Sequence, residues 1–210
     1  ATFSSVLGTK VLSEERITTD EKNQINPAIY GDIVVWQDGI EGADNTDIYG
    51  YNLKTGQGFP ICKEVGDQTD PAIYGDIVVW QDGIEGGDNT DIYGYNLKTG
   101  QGFQITDSGY AGYPAIYGDI VVWEDYRNDD ESGNSDIYGY NLKTGQEFPI
   151  CKENRYQGSP AIYCDRVVWH DYRHGGGDIY IAYLDVVCET AKKSLPMDWI
   201  IKKFGLGKEK

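Results

Sequence analysis

The 210-residue sequence has one Met, two His, four Cys and seven Pro, and only 18 Lys+Arg against 34 Asp+Glu. Each shortage excludes something. No apolar run approaches the roughly 18 to 20 residues of a membrane-spanning helix. The shortage of cations leaves a formal net charge of −16. Phosphate backbones bind basic surfaces, so no nucleic-acid partner is expected. The four Cys include no CxxC pair, which gives no zinc signature and allows three disulfide pairings or none. No N-x-S/T sequon occurs, so conventional N-glycosylation is not expected. The opening ATFSSVLGTK shows no signal peptide. A trimmed mature chain and a cytosolic chain would both begin this way. What is abundant points elsewhere. Forty per cent hydrophobic and 13% aromatic residues are too many for a disordered chain, and 27 Gly with 17 Tyr describe a turn-rich, all-β protein.

Internal repetition decides the fold. NPAIYGDIVVWQDGIEGADNTDIYGYNLKTGQGFPICKE, from Asn26, returns with small changes from Asp70, Tyr113 and Ser159. The anchoring prolines Pro27, Pro71, Pro114 and Pro160 give periods of 44, 43 and 46, and Trp36, Trp80, Trp123 and Trp169 keep step. Each copy reads as strands a (AIYGD), b (DIVVWQD), c (DIYGYNL) and d (GFPIC), joined by turns such as KTGQ. Four antiparallel strands every 40 to 50 residues make the blade of a β-propeller, and no segment within the repeat has helical periodicity. The fourth copy lacks strand d. The segment before Pro27 aligns with the segment before Pro71, matching Ile17 to Ile61 and Thr18 to Cys62. The N-terminus is therefore expected to supply the missing strand, giving four blades of four strands closed by residues 10–26. The alternative is an eight-bladed ring shared by two chains, each N-terminal strand completing the partner's last blade.

The pattern P-A-I-Y-G-D-I-V-V-W-x-D-Y-R…D-I-Y-x-Y-x-L-x-T-G resembles the TolB-like β-propeller repeats of archaeal and bacterial cell-surface proteins. The likeness runs over about residues 10–187. Blades three and four carry W-x-D-Y-R at Trp123–Arg127 and Trp169–Arg173, while blades one and two have Asp38-Gly39-Ile40 and Asp82-Gly83-Ile84. The resemblance implies a propeller, usually extracellular, used for binding or architecture, and no catalytic residue.

In such a blade the b–c and d–a loops share one face, and the a–b and c–d turns share the other. The b–c loops are acidic, so the first face is expected to be strongly negative. Asp38, Asp44 and Asp47 form the best calcium candidate there, since calcium takes six to eight oxygens from such loops. The competing reading is structural, with the Asp after Trp pairing with Arg127 or Arg173 and the last Asp capping a turn. His170 and His174 with Asp171 form a weaker cluster, and no Ser-His-Asp or Cys-His set stands out. Tyr30, Tyr74, Tyr117 and Tyr163 recur near the inner strand, either packing blades together or lining a channel.

Cys164 replaces Gly in the a–b turn of blade four and Cys188 follows its c strand, so the two are expected to bond. Cys62 and Cys151 occupy equivalent d strands of blades one and three. They lie too far apart for an intrachain disulfide, and are free or bridge different chains. The sequence thus divides into an N-terminal extension (1–9), the propeller (10–187, blades from 27, 71, 114 and 160) and a basic helical tail (188–210). The tail carries six Lys against three acids, leaving −19 on the rest. Trp199, Ile200 and Phe204 give its helix an apolar docking face.

These features are expected to mark a non-enzymatic, secreted or cell-surface structural protein, a surface-layer or filament subunit that binds copies of itself or other surface proteins. No cofactor is expected apart from the calcium candidate. The alternative is a ligand-binding propeller for a glycan, peptide or calcium.

Overall fold

The computed structural model of the protein describes residues 9–19, 21, 23–39, 45–83, 89–129 and 133–188. Every regular element among them is a β-strand. Blade one comprises β1 (Asn23–Tyr30), β2 (Ile33–Gly39), β3 (Thr46–Asn52) and β4 (Gln57–Cys62). Blade two comprises β5 (Gln68–Tyr74), β6 (Ile77–Gly83), β7 (Thr90–Asn96) and β8 (Gln101–Gln104). Blade three comprises β9 (Ala111–Tyr117), β10 (Ile120–Asp125), β11 (Asp136–Asn141) and β12 (Gln146–Cys151). Blade four has β13 (Gln157–Tyr163), β14 (Arg166–Asp171) and β15 (Asp178–Tyr183). Each blade is an antiparallel meander in chain order.

Local chemistry sets each turn. The a–b hairpins need a positive φ at their first loop residue, supplied by Gly31, Gly75 and Gly118 at +57° to +60°. The c–d turns are capped by Asn52, Asn96 and Asn141, whose Oδ1 accepts the next backbone N–H groups at 2.9 to 3.2 Å. Each first strand begins before its proline rather than at it. Asn26, Asp70, Tyr113 and Ser159 take φ near +50°, and the ladder skips there as a bulge. Residues 23–26 therefore belong to blade one, not to a closing strand.

The blades stack through one interface made three times. Val35, Ile48 and Ile61 of blade one meet Ile73, Val78 and Trp80 of blade two. Val79, Ile92 and Ile105 meet Ile116, Val121 and Trp123. Val122, Ile137 and Cys151 meet Val167 and Trp169. At the axis the rings of Tyr30, Tyr74, Tyr117 and Tyr163 follow one another at 4.7, 4.6 and 4.9 Å. They serve as inter-blade packing. Tyr30 and Tyr163, at the two ends of this series, make no ring contact with each other.

The expected closure does not form. Residues 10–19 contain no strand, and β15 has no outer neighbour among the described residues. The four blades make an arc rather than a sealed ring. Two side chains account for this. In blades one to three a c-strand Gly admits a d-strand Phe: a Cβ on Gly50, Gly94 or Gly139 would lie 2.6 to 2.7 Å from the ring of Phe59, Phe103 or Phe148. Blade four has Ile181 at the Gly position, and the N-terminal segment has Glu15 at the Phe position. Tyr183 also replaces the Asn that caps each c–d turn. The basic tail with Trp199, Ile200 and Phe204, and residues 1–8, lie outside the described residues. Among the described residues no helix is long and apolar enough to cross a membrane.

Candidate functional site

The surface of interest begins with the two ends of the arc. Ile48, Ile92 and Ile137 are 0% exposed because the next blade covers them. Their counterpart in blade four, Ile179, is 76% exposed. On the opposite end Ile29 is 62% exposed, where Ile73 and Ile116 are each 8%. Ile181, Tyr183 and Tyr163 extend the first patch, and Ile25 extends the second. The leading face of blade one and the trailing face of blade four are thus the two uncovered halves of the repeating interface.

Several acids expected on the negative face lie in the interior. Asp38, Asp47, Asp125, Asp136 and Asp171 are buried. Asp38 lies opposite Asp47 across the β2–β3 ladder, and Asp125 lies opposite Asp136 across β10–β11. Amide donors reach the calcium candidates, Gln24 Nε2 to Asp38 at 3.1 Å and Asn45 Nδ2 to Asp47 at 3.3 Å. Asp44 lies outside the described residues. His170 stacks on Tyr156 at 5.1 Å, and His174 lies 6.5 Å from the Tyr180 ring.

Blades three and four show what the W-x-D-Y-R motif builds. Trp169 Nε1 donates to Asp171 at 3.1 Å. Arg173 Nη2 meets the same carboxylate at 2.5 Å, and its guanidinium lies 4.1 Å from the Tyr180 ring centre. It also donates to Cys151 Sγ at 3.0 Å and approaches Glu153 at 3.9 Å. Arg127 repeats this with Asp125 at 2.6 Å, Tyr138 at 4.4 Å and Glu147 at 2.6 Å. Burial opposes ionisation of both aspartates, but the Arg and Trp hydrogen bonds outweigh it and hold their carboxyls below the ordinary range. Blade two keeps the same walls without the cation. Trp80 Nε1 donates to Asp82 at 2.9 Å and Trp80 stacks on Tyr93 at 6.4 Å. A cavity of about 580 Å³ lies beside them, lined also by Cys62, Glu64 and Gly102. Here burial pushes the Asp82 carboxyl up.

Cys164 and Cys188 form a disulfide with Cα atoms 5.2 Å apart. Cys164 holds the turn at φ +63°, where the other blades place Gly. Asp165 lies beside the pair, but disulfide sulfurs offer no thiolate for a metal. Cys62 and Cys151 are free and buried, and burial pushes both thiols up. The structure places both in the interior rather than at an exposed strand edge. They sit where one blade packs on the next.

Glu124 stands in sequence beside the acids of the third b–c loop. The structure buries it completely in the blade three–four interface. Its Oε2 accepts from Tyr156 Oη at 3.1 Å and from Ser159 N at 3.0 Å, and burial pushes Tyr156 up to about 12. The signal was one repeat position that reads Gln37, Gln81, Glu124 and His170. Near the axis a hollow of about 320 Å³ is lined by Asn26, Asp70, Tyr113 and Ser159 with their prolines. Those four residues also differ between copies.

No family model and no curated protein matches the sequence. Solved structures do. TolB from Acinetobacter baumannii superposes with a TM-score of 0.61 at 15% identity, over 82% of this chain and 46% of that one. The β-propeller domain of the Trilobed protease from Pyrococcus furiosus, described as having an open velcro topology, gives 0.57 at 16%, over 79% and 56%. An oligogalacturonate lyase in complex with manganese gives 0.55 at 15%, over 81% and 49%. The fold is that of a TolB-like β-propeller. The chain spans about half the length of these structures.

Proposed function

We propose that this protein is a non-enzymatic structural module of the cell exterior that self-associates through the faces of its terminal blades. The observation that carries the reading is Ile179, 76% exposed at a position where three equivalent isoleucines are 0% exposed. The trailing face of blade four keeps the Val and Ile positions, Val168 and Ile179, that blades one to three present to their successors, without their d-strand residues. The leading face of blade one matches the faces those successors present. A second copy offers both partners at once. Reciprocal docking of two arcs gives a two-fold ring of eight blades, and one-sided docking gives an open filament of the surface-layer kind. The Cys164–Cys188 disulfide favours an oxidising compartment outside the cytosol.

Light scattering on a sizing column with negative-stain electron microscopy tests this. The wild type is expected above the 23.4 kDa monomer mass, as a ring or a mass series. Ile179→Glu should dissociate it while circular dichroism stays unchanged. A wild-type monomer at about 100 μM, well above a micromolar Kd, sinks self-association. A ligand-binding module is the second reading. The axial hollow favours it, because Asn26, Asp70, Tyr113 and Ser159 diverge amid near-identical repeats.

A further inference from the structure

We propose that the cavity between blades one and two is a guanidinium site that takes an arginine side chain from a partner. Arg173 touches four groups: the Asp171 carboxylate, the Tyr180 ring, the Cys151 sulfur and the Glu153 carboxylate. Their repeat equivalents are Asp82, Tyr93, Cys62 and Glu64, identical in type. All four line the blade-two cavity of about 580 Å³. The Trp80 indole donates to Asp82 as Trp169 donates to Asp171. The chain thus builds the same receptacle twice, and among the described residues an arginine fills only that of blade four. The residue aligned with Arg173 is Ile84.

The walls suit a planar cation. A buried carboxylate, a ring face and a second carboxylate at the rim are the partners that Arg173 and Arg127 use. In blade three Glu147 also reaches the arginine, whereas its equivalent here, Gly102, leaves room at the cavity wall. Lys63 does not occupy the slot, because its Nζ lies over the Tyr49 ring of blade one at 5.4 Å. The ring and carboxylate are held in place before any ligand arrives.

The test titrates acetyl-Gly-Arg-Gly-amide into the full chain and reads the Trp80 indole N–H by NMR, assigned with Trp80→Phe. We expect a saturable shift of the Trp80 signal while those of Trp123 and Trp169 stay put. The citrulline peptide, neutral and isosteric, should bind at least about tenfold more weakly, as should the arginine peptide to Asp82→Asn. Ile84→Arg should fill the slot in cis and abolish the shift. Free arginine, run in parallel, separates a small guanidino ligand from a peptide-borne one. No Trp80 shift at 20 mM peptide in the wild type, or equal affinity for the citrulline peptide, overturns the proposal. The oligomeric state is measured separately, so failure here leaves the self-association reading untouched.

Discussion

Arg173→Met asks whether charge or packing holds the corner of blade four. Asp171 is fully buried, and the guanidinium reaches it at 2.5 and 3.0 Å while stacked on Tyr180. Methionine keeps much of the side-chain stem over the ring and deletes the charge. Asp171 then acquires the surroundings of Asp82, whose carboxyl is pushed up by burial. Removing one partner of a buried pair costs about 3–5 kcal/mol. The indole donor and the Arg173 backbone N–H, at 2.9 Å, survive. We therefore expect the lower end, about 3 kcal/mol at neutral pH. In the wild type the folded pKa lies below the unfolded value of about 3.9. Its stabilisation is complete above that value and is lost as pH falls through the folded pKa. In the variant the folded pKa lies above the unfolded value, so the penalty is full at neutral pH and relieved as pH falls through it. The two proteins should differ most at pH 7 and converge toward about pH 4. Urea denaturation at both values measures the gap. An equal gap at both, or a loss below about 0.5 kcal/mol at pH 7, refutes the charge argument.

Four further outcomes follow from the geometry. Gly94→Ala places a methyl 2.6 Å from the Phe103 ring and should cost about 1–3 kcal/mol in urea denaturation. Reducing the Cys164–Cys188 disulfide, which spans 24 residues, should cost about 3 kcal/mol. Cys164→Gly with Cys188→Ala should lose less, because Gly suits φ +63°. Cys62 and Cys151 should resist a thiol reagent in the native state and both react in urea, with no covalent dimer on non-reducing electrophoresis. Pairing Ile181→Gly with Glu15→Phe should restore the missing ring-over-glycine contact, read as new protease resistance of residues 10–19.

Blade existence, strand order and turn chemistry were legible because each is a local rule repeated four times. Gly31-Asp32 makes a hairpin, Asn52 caps the next turn, and the Val-Val-Trp run alternates between two buried faces. Closure was not legible. It depends on whether a particular Phe meets a particular Gly across the ring, and the match of Ile17 to Ile61 carries no information on the pair Glu15 and Ile181. The buried acids were misplaced for a similar reason. Asp38 and Asp125 stand at strand ends, where a loop and a cross-strand pair look identical in sequence. The blade-two cavity was visible only as a departure from the Y-R motif. Its meaning needed the contacts of Arg173, which join residues from two blades.

The repeats also explain why the ends matter. A blade that packs on a nearly identical blade must carry one face that matches its predecessor and another that matches its successor. Val78 and Trp80 point one way, and Val79 and Ile92 point the other. Nothing in that arrangement marks a first or a last member, so a terminal blade made by the same rules exposes an interface unless something is added to cover it. Blade four departs from its siblings in its disulfide, in Arg166 and in Ile181. Yet it keeps Ile179, the residue whose only role in the other blades is to be covered. A solvent-facing terminal blade would gain by replacing it with a polar residue. Retaining an isoleucine there, 76% exposed, is what the self-association we propose would require.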